Sequence, residues 1–479
     1  MDSTSSSVDF PRHLPRLMLA APMSGGGKTT VTCGLLSLLI SRGMSPVSFK
    51  CGPDYIDPMF HSTVIGTPGF NLDLFFSSEE QARSLLARNS EGADIAVLEG
   101  VMGFYDGLGG TNAQASAYHL SSATDTPVIL VVDAHGASLS VAAMVKGFME
   151  FRPHSNIKGV LLNRVGPSMR EILSNVIEQE CGIPVVGCLP NDSAYSLESR
   201  HLGLVTASEV EGLREKIALI ADALEKNCDI DLMLKIANSA PDLSDKPFET
   251  PRATNRSPRI AIADDNAFCF YYHENIQMLE DLGAEIVRFS PIRDAALPDG
   301  TDALYLGGGY PELNAKALEA NVGMRKQVLA ACEDGMPVFA ECGGFLYLQD
   351  ELCDLDGNLW QMVGFMHGSA KYTGRLTRFG YVNLLCNEGN YLCDKGGKLV
   401  AHEFHYYDCT ENGETFDASK PIGNRKWKCF VNKNRTLAGF PHLYFPANGN
   451  FARRFVLAAE KYGESRRNST DEGECADGR

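Results

Sequence analysis

The strongest candidate for a nucleophile in this chain is a cysteine in a glycine-rich turn. Cys342 follows the apolar run 338–340 and precedes Gly343 and Gly344, and a helical pattern starts at Phe345. The glycines allow a tight turn that leaves the sulfur accessible, and a helix N-terminus favours the thiolate, which is the nucleophilic form. The pattern predicts a strand–nucleophile–helix elbow. The alternative is an inert cysteine, since cysteine is among the residues most often buried.

A cysteine nucleophile requires a base and hydrogen-bond donors for the oxyanion. Four histidines of the C-terminal half are candidates for the base: His367, His402, His405 and His442. His442 is favoured because it lies at the end of a predicted strand near the C-terminus. His402 and His405 are one residue short of the HExxH zinc spacing and would face opposite sides of a strand, which excludes a zinc peptidase. The predicted oxyanion-hole residues, with backbone N–H groups in two glycine turns, are Gly308, Gly309 and Gly343.

The second chemical centre is a glycine loop near the N-terminus. A predicted strand at 16–21 leads into the loop, and a helical pattern runs from Val31 to Arg42. In this context backbone N–H groups and the helix dipole bind phosphate, Lys28 reaches the β- and γ-phosphates, and the Thr29 hydroxyl binds Mg²⁺. Pro22 stands where the strict pattern has glycine, so the loop is a variant, and a plain glycine-rich turn is the alternative. The predicted ATP-binding residues are Ser24, Gly25, Gly26, Gly27, Lys28, Thr29, Thr30 and Asn163. Asn163 ends a predicted strand, and a turn-forming role is about as favoured for it as contact with the nucleotide base.

Carboxylates follow the next predicted strands. Asp54 and Asp57 lie in the loop 52–58, Glu99 ends the predicted strand 94–99, and Asp106 lies in the glycine-rich loop after it. Ligands collect at the carboxyl ends of parallel strands, so we predict a Mg²⁺ site formed by Thr29, Asp54 and Glu99. Asp106 is expected to be a nearby substrate or metal contact. Turn formation alone is the alternative for the two aspartates of the loop.

Composition narrows the class of protein. The chain has 479 residues, 44% of them hydrophobic, and a formal net charge of −17. The length predicts two or three domains, and the negative charge argues against nucleic acid or an anionic membrane as a partner. No apolar run approaches the ~20 residues of a membrane span. The 14 cysteines show no zinc spacing, so we predict reduced thiols in a cytoplasmic enzyme.

Alternating strand and helix patterns occupy both halves and restart at Arg259, which predicts two doubly wound α/β domains with parallel sheets. The predicted boundaries are a disordered N-terminus at 1–15, an ATP-binding domain at 16–225, a linker at 226–258, a second domain at 259–462, and a disordered tail at 463–479.

Seven stretches in order along the chain resemble the cobyrinate a,c-diamide synthase family: residues 25–29, 52–58, 99–103, 271–275, 306–312, 340–344 and 402–406. That family joins a P-loop, dethiobiotin-synthetase-like ATP domain to a class I glutamine amidotransferase domain, which is flavodoxin-like. The resemblance implies that Cys342 and His442 hydrolyse glutamine. It also implies that ATP·Mg²⁺ phosphorylates the a and c acetate carboxylates of cobyrinic acid, and that ammonia displaces the phosphate. The substrate or intermediate contacts that it implies are Lys50, Asp54, Tyr55, Ile56, Asp57, Asp106 and Arg200.

The partners implied are small molecules, namely cobyrinic acid, L-glutamine and ATP, and a homodimer is left open. Ordinary class I glutaminases have an acid two residues after the histidine, but Tyr444 stands there, so we expect a catalytic dyad. Lys50, Arg164, Arg200 and Arg375 are candidates for a basic face toward a polycarboxylate. Three alternatives remain open. They are the same reaction on nickel-sirohydrochlorin, a less favoured cobyric acid synthase, and a P-loop switch ATPase with an inactive glutaminase-like interaction domain.

Overall fold

A computed structural model describes residues 13–195, 197, 207–243 and 250–476. Arg200, predicted to contact the substrate, lies outside the described residues. The chain divides into two compact units, Met1–Glu249 and Thr250–Arg479. Each unit is an α/β domain built on a parallel sheet, as the alternating patterns predict.

Seven parallel strands form the sheet of the first unit. They are β1 (Arg16–Ala20), β2 (Pro46–Cys51), β3 (Gly69–Leu72), β4 (Ile95–Glu99), β5 (Val128–Asp133), β6 (Ile157–Asn163) and β7 (Val185–Leu189). Their order is β3-β2-β4-β1-β5-β6-β7. The central strands are buried along their whole length, which is typical of a parallel sheet covered on both faces. Because β4 and β5 flank β1, the loops after β1 and β4 meet at one edge of the sheet.

Eight α-helices connect or cover these strands in the described residues. They are α1 (Lys28–Ser41), α2 (Ile56–Phe60), α3 (Glu79–Asn89), α4 (Ala117–Ala123), α5 (Ser140–Glu150), α6 (Pro167–Cys181), α7 (Ala207–Asn227) and α8 (Ile230–Asn238), with a π-helix at His61–Ile65. Helices α1 and α7 approach closely. A Cβ added to Gly34 of α1 would lie 2.4 Å from Ile220 Cγ2, so this contact requires a glycine.

Helix α8 lies in the stretch 226–258 that the sequence predicts to be a linker. Asp229 caps the helix, since its side chain accepts a hydrogen bond from Leu232 N at 2.9 Å. Ile230, Met233 and Ile236 are buried and pack into the core of the first unit. The polar residues that suggest a connection therefore provide a cap and an exposed helix face, while the apolar residues between them bind the helix to the domain.

The second unit contains a six-stranded main sheet and two smaller sheets. Its strands are β8 (Arg259–Ala263), β9 (Glu285–Phe289), β10 (Ala303–Leu306), β11 (Val338–Glu341), β12 (Glu351–Cys353), β13 (Leu359–Gln361), β14 (Ser369–Tyr372), β15 (Arg378–Cys386), β16 (Lys398–His405), β17 (Tyr407–Cys409), β18 (Phe416–Ser419), β19 (Lys426–Cys429), β20 (Val431–Lys433), β21 (Thr436–Gly439) and β22 (His442–Leu443). The main sheet has the order β20-β21-β11-β10-β8-β9, and only β20 is antiparallel. The two smaller sheets have the orders β13-β12-β14-β17 and β19-β18-β15-β16-β22, and all of their strands except β22 lie between β11 and β20 in the chain.

The helices of the second unit are α9 (His273–Asp281), α10 (Ala315–Ala320), α11 (Val322–Glu333), α12 (Gly343–Tyr347) and α13 (Gly449–Ala476). Helix α13 extends through most of the stretch 463–479 that is predicted to be disordered. Tyr462 OH donates to Asp334 at 2.5 Å, which holds the helix to the domain just before that stretch. None of the helices in the described part of the chain combines the length and the apolar character that crossing a bilayer would require.

Candidate active sites

The glycine loop of the first unit connects β1 to α1, as the sequence predicts, and Asn163 packs against it. Asn163 Nδ2 donates to Gly26 O at 3.0 Å. Gly27 has a φ of 95°, and a Cβ there would lie 2.1 Å from Asn163 Nδ2. Gly27 is therefore required both by its backbone conformation and by this contact. Asn163, predicted as a contact to the nucleotide base, braces the loop through its side-chain amide.

Lys28 is a buried cation at the start of α1. Its ammonium donates to the carbonyl oxygens of Met102 and Met23, the latter at 3.4 Å. Burial, followed by the neighbouring Lys50 ammonium, lowers the pKa of Lys28 to about 8. A bound phosphate would stabilise this ammonium, because an anion offsets the cost of burying the charge.

Glu99, at the end of β4, is the centre of a buried cluster of charged groups. Thr29 Oγ1 donates to Glu99 Oε1 at 2.5 Å, and Lys50 Nζ contacts the same oxygen at 2.8 Å. Lys50 also forms an ion pair of 2.6 Å with Asp57 Oδ2. Glu99, Lys50 and Asp57 are all nearly inaccessible to solvent.

Asp54, a predicted Mg²⁺ ligand, accepts a hydrogen bond from the backbone of its own turn. Its Oδ1 accepts a hydrogen bond from Ile56 N at 2.8 Å, which fixes the turn before α2. The described contacts link Glu99 to Asp57 through Lys50 and do not link Asp54 to Thr29 or Glu99. Of the three predicted Mg²⁺ ligands, the structure therefore brings together Thr29 and Glu99. No group of three or more His, Cys, Asp or Glu side chains in the described ranges is arranged to hold a metal ion by itself.

His61 is a member of this cluster that the sequence reasoning missed. It is fully buried, its Nδ1 lies 2.6 Å from Ser48 Oγ, and its Nε2 lies 3.7 Å from Glu99 Oε2. Burial, followed by Lys50, lowers the pKa of His61 to about 3, so the ring is neutral. No motif in the sequence marks this residue, which begins the π-helix His61–Ile65.

The remaining predicted residues of the first unit lie around these groups. Asp106 Oδ2 accepts a hydrogen bond from Gly103 N at 3.0 Å and closes the loop after β4. Tyr55 and Ile56 lie at the start of α2. An open cleft of about 510 Å³ is lined by the glycine loop, Asn163, Arg164 and the segment after β7. Its size is within the usual range for a small-molecule site.

Three neighbouring parallel strands assemble the candidate site of the second unit. β11 lies between β10 and β21, so the segments that follow these strands emerge side by side. The glycines 307–309 follow β10, Cys342 follows β11, and His442 follows β21. The predicted oxyanion loop, nucleophile and base therefore converge, although 135 residues separate the first from the last.

The backbone at Cys342 has the elbow geometry that the sequence predicts. Cys342 has φ 49° and ψ −103° and immediately precedes α12. A non-glycine residue in this region of φ/ψ space costs on the order of 1–3 kcal/mol and is found mainly at functional sites. A Cβ added to Gly344 would lie 2.2 Å from Leu306 O, so the elbow can pack against the end of β10 only with a glycine there.

His442 is hydrogen-bonded to Cys342 and to the Glu341 carboxylate. Its Nδ1 lies 3.4 Å from Glu341 Oε1, and both side chains are almost completely buried. Burial by itself lowers the pKa of His442, but the Cys342 sulfur and the Glu341 carboxylate together raise it to about 10. The site therefore favours the imidazolium that forms when His442 takes the proton of the thiol.

The glycines predicted for the oxyanion hole lie next to this pair. A Cβ on Gly308 would lie 2.6 Å from His442 Cε1, so Gly308 also provides space for the imidazole. Gly309 has φ 154°, and a Cβ on Gly343 would lie 3.1 Å from Gly309 N. Neither the Gly309 nor the Gly343 amide donates a hydrogen bond to another described group. These two N–H groups are therefore free to bind an oxyanion.

The other three candidate histidines have different surroundings. His367 is exposed, and its Nδ1 lies 3.6 Å from Asp350. His405 Nδ1 lies 2.7 Å from Tyr407 O, and its ring stacks on Phe440. His402 pairs with His442 between β16 and β22. Burial is the first cause that lowers the pKa of His402 and His405, to about 3 and about 4, so both rings are neutral.

Comparisons with known proteins give the same division of the chain. The family model described as "CobQ/CobB/MinD/ParA nucleotide binding domain" matches residues 17–205, and that described as "CobB/CobQ-like glutamine amidotransferase domain" matches residues 259–450. A relative from Listeria innocua, named cobyrinate a,c-diamide synthase, is 40% identical over 90% of this chain and 97% of its own length. A relative of the same name from Caldanaerobacter subterraneus is 38% identical over 93% and 98%. One from Priestia megaterium, also of that name, is 36% identical over 95% and 99%.

Proposed function

The chain belongs to the cobyrinate a,c-diamide synthase family, and from this premise we propose that it amidates the a and c acetate side chains of cobyrinic acid in cobalamin biosynthesis. Glutamine would supply the nitrogen and ATP would activate each carboxylate. The observation that carries the proposal is that one chain contains both a cysteine elbow with its histidine and a glycine loop with a buried lysine. The first is suited to glutamine hydrolysis and the second to phosphate chemistry.

In the second unit, the reaction would begin with proton transfer from Cys342 to His442. The sulfur then attacks the amide carbon of glutamine, and the N–H groups of Gly309 and Gly343 bind the oxyanion. His442, now an imidazolium, gives its proton to the leaving nitrogen, and ammonia departs. Water, deprotonated by the neutral His442, then hydrolyses the thioester and releases glutamate.

In the first unit, the buried charges fit a magnesium–nucleotide complex. Glu99 Oε2 is buried and makes no hydrogen bond to a described group, and the Thr29 hydroxyl lies beside the other oxygen of the same carboxylate. Mg²⁺ in such sites is held by one or two protein oxygens together with substrate phosphates and water. Thr29 and Glu99 would therefore hold the ion, which would neutralise phosphate charge. Asp54 stays a predicted ligand with less support.

Lys28 would stabilise the phosphates during transfer to the substrate carboxylate. The transfer converts a carboxylate, which is a poor electrophile, into an acyl phosphate with a good leaving group. Ammonia attacks the acyl carbon, and phosphate leaves as the amide forms. Lys50, held between Glu99 and Asp57, keeps the carboxylates oriented, and Asp106 orders the loop near Lys28. The substrate contacts stay predictions for all seven residues, namely Lys50, Asp54, Tyr55, Ile56, Asp57, Asp106 and Arg200.

Mass spectrometry of the product tests the proposal. The protein is incubated with cobyrinic acid, ATP, Mg²⁺ and glutamine, and with each component omitted in turn. We expect two successive changes from acid to amide, both dependent on ATP. No change on cobyrinic acid, with two changes on nickel-sirohydrochlorin, would replace the substrate and keep the mechanism. Absence of glutamine hydrolysis altogether would favour the switch ATPase, which the Cys342–His442 pair opposes.

A further inference from the structure

We propose that Glu341 is the residue that positions His442 for glutamine hydrolysis, so that the site works as a triad whose acid directly precedes the nucleophile. The inference rests on the proposed glutaminase activity of the second unit. Ordinary class I glutaminases place the acid two residues after the histidine, where this chain has Tyr444. Tyr444 is buried and packs edge-on against Tyr272, with ring centroids 5.1 Å apart.

The two oxygens of Glu341 bind both the ring and the backbone of the segment that carries it. Oε1 lies 3.4 Å from His442 Nδ1, and Oε2 accepts a hydrogen bond from Leu443 N at 3.2 Å. Tyr305 OH donates to Oε1 at 3.1 Å. A carboxylate that contacts both the imidazole and the next backbone N–H fixes the position of the ring as well as its tautomer.

This geometry assigns the proton on His442. Since a carboxylate only accepts hydrogen bonds, Nδ1–H donates to Glu341, and Nε2 is left to accept the proton of Cys342. The Glu341 carboxylate stabilises the imidazolium, as the buried acid does in serine proteases. Glu341 touches neither substrate nor sulfur in this account, so it is a positioning residue.

A further layer of hydrogen bonds holds the carboxylate in place. Asn275 Nδ2 donates to Leu443 O at 2.8 Å and to Tyr305 OH at 3.4 Å, and Asn275 Oδ1 accepts from Phe445 N at 2.6 Å. Tyr305 and Asn275 are both fully buried. Such a network explains why a charged residue can stand at the end of the apolar strand β11: it has partners for both of its oxygens.

The test is the glutaminase activity of the full chain with Glu341→Gln, which keeps the side-chain shape and removes the charge. We expect kcat for glutamine hydrolysis to fall roughly 10²-fold with KM little changed, because the residue acts on proton transfer. Amidation driven by added ammonia should be unchanged. The matched control is Glu403→Gln, since Glu403 is also fully buried but hydrogen-bonds to Trp427 Nε1. We expect a much smaller effect from the control.

The pH profile separates positioning from a merely structural role. The titratable groups near His442 are Cys342 and Glu341, and on β16 His402, Glu403 and His405. Glu341 is one of the groups that raise the pKa of His442, so the imidazolium should be lost at lower pH in Glu341→Gln. The alkaline limb of the profile should move to lower pH in this variant, and less in Glu403→Gln.

The proposal is overturned if Glu341→Gln keeps the wild-type kcat and alkaline limb. A fall in kcat without movement of the limb also overturns it. If Glu341→Gln does not fold, Tyr305→Phe is the variant that tests the proposal. It removes one hydrogen bond to the Glu341 carboxylate and leaves the charge of that carboxylate in place. In Tyr305→Phe we expect kcat for glutamine hydrolysis to fall several-fold and ammonia-dependent amidation to stay unchanged. An unchanged kcat for glutamine hydrolysis would contradict the proposal. A wild type without glutaminase activity would instead refute the proposed function.

Discussion

Each unit of this chain buries a carboxylate at the end of a parallel strand, but the two are surrounded differently. Glu99 of β4 is paired with the ammonium of Lys50 and with the Thr29 hydroxyl. Glu341 of β11 faces His442, whose charge depends on Cys342. A lysine partner suits a carboxylate whose charge must stay constant near phosphate and metal. A histidine partner suits a carboxylate that supports a proton moving on and off a base.

The largest expected effect is that of Cys342→Ser, which should affect the second unit and leave the first unit active. This variant should lose all glutamine-dependent amidation, because the hydroxyl is a much weaker nucleophile at this site. Amidation with added ammonia should continue at the wild-type rate, since the charges of the first unit are untouched. Both rates are measured on the same preparation by mass spectrometry of the product. Loss of the ammonia reaction would show that the two sites do not divide the work as described.

Lys50→Met tests whether Lys50 neutralises the buried carboxylates of Glu99 and Asp57 in the first unit. Without the ammonium, the buried carboxylates of Glu99 and Asp57 lose the cation that they share. We expect the free energy of unfolding of this unit to fall by about 3–5 kcal/mol. Urea unfolding followed by circular dichroism measures the change.

Lys158→Met is the matched control for that experiment. Lys158 lies in β6 of the same sheet, and its side chain is exposed. Its substitution should change the free energy of unfolding by no more than about 0.5 kcal/mol. Equal effects of the two substitutions would mean that Lys50 does not neutralise the buried carboxylates.

Gly308→Ala tests the position of the His442 ring, and its expected effect is smaller than that of Cys342→Ser. The added methyl group would lie 2.6 Å from His442 Cε1, so the imidazole has to move. We expect glutamine hydrolysis to slow roughly 10-fold, because small displacements of a catalytic group lower the rate strongly. Gly147→Ala, whose Cβ would meet no atom within 4 Å, should leave the rate unchanged. Wild-type kinetics in Gly308→Ala would refute the assigned position of the ring.

The parts of both sites that were predictable from sequence are those formed by neighbouring residues. The glycine loop before α1 and the turn at Cys342 are local patterns, and α/β alternation implies that strand ends meet at one edge of the sheet. This reasoning placed His442 near Cys342. The domain fold and the family resemblance are confirmed by the family models and by the relatives. The roles of the individual site residues stay predictions.

The contacts that were missed join residues far apart in the chain. Glu341 and His442 are 101 positions apart in the sequence and are brought together because β21 pairs with β11. The sequence contains no signal for that pairing. His61 reaches Glu99 through a π-helix, for which the sequence shows no signal. Asp54 and Asp57 look equivalent in the loop, yet Asp57 becomes part of α2 and is buried against Lys50, while Asp54 caps a turn.

Isotope transfer from glutamine tests most directly whether the two sites act in one reaction. The enzyme is supplied with ATP, Mg²⁺, cobyrinic acid and glutamine that carries heavy nitrogen in its side-chain amide, and the product is analysed by mass spectrometry. We predict that both new amides carry the heavy nitrogen in the wild type and that Cys342→Ser yields none. Unlabelled amides in the wild-type product would show that glutamine hydrolysis at Cys342 does not supply the nitrogen, and would contradict the account.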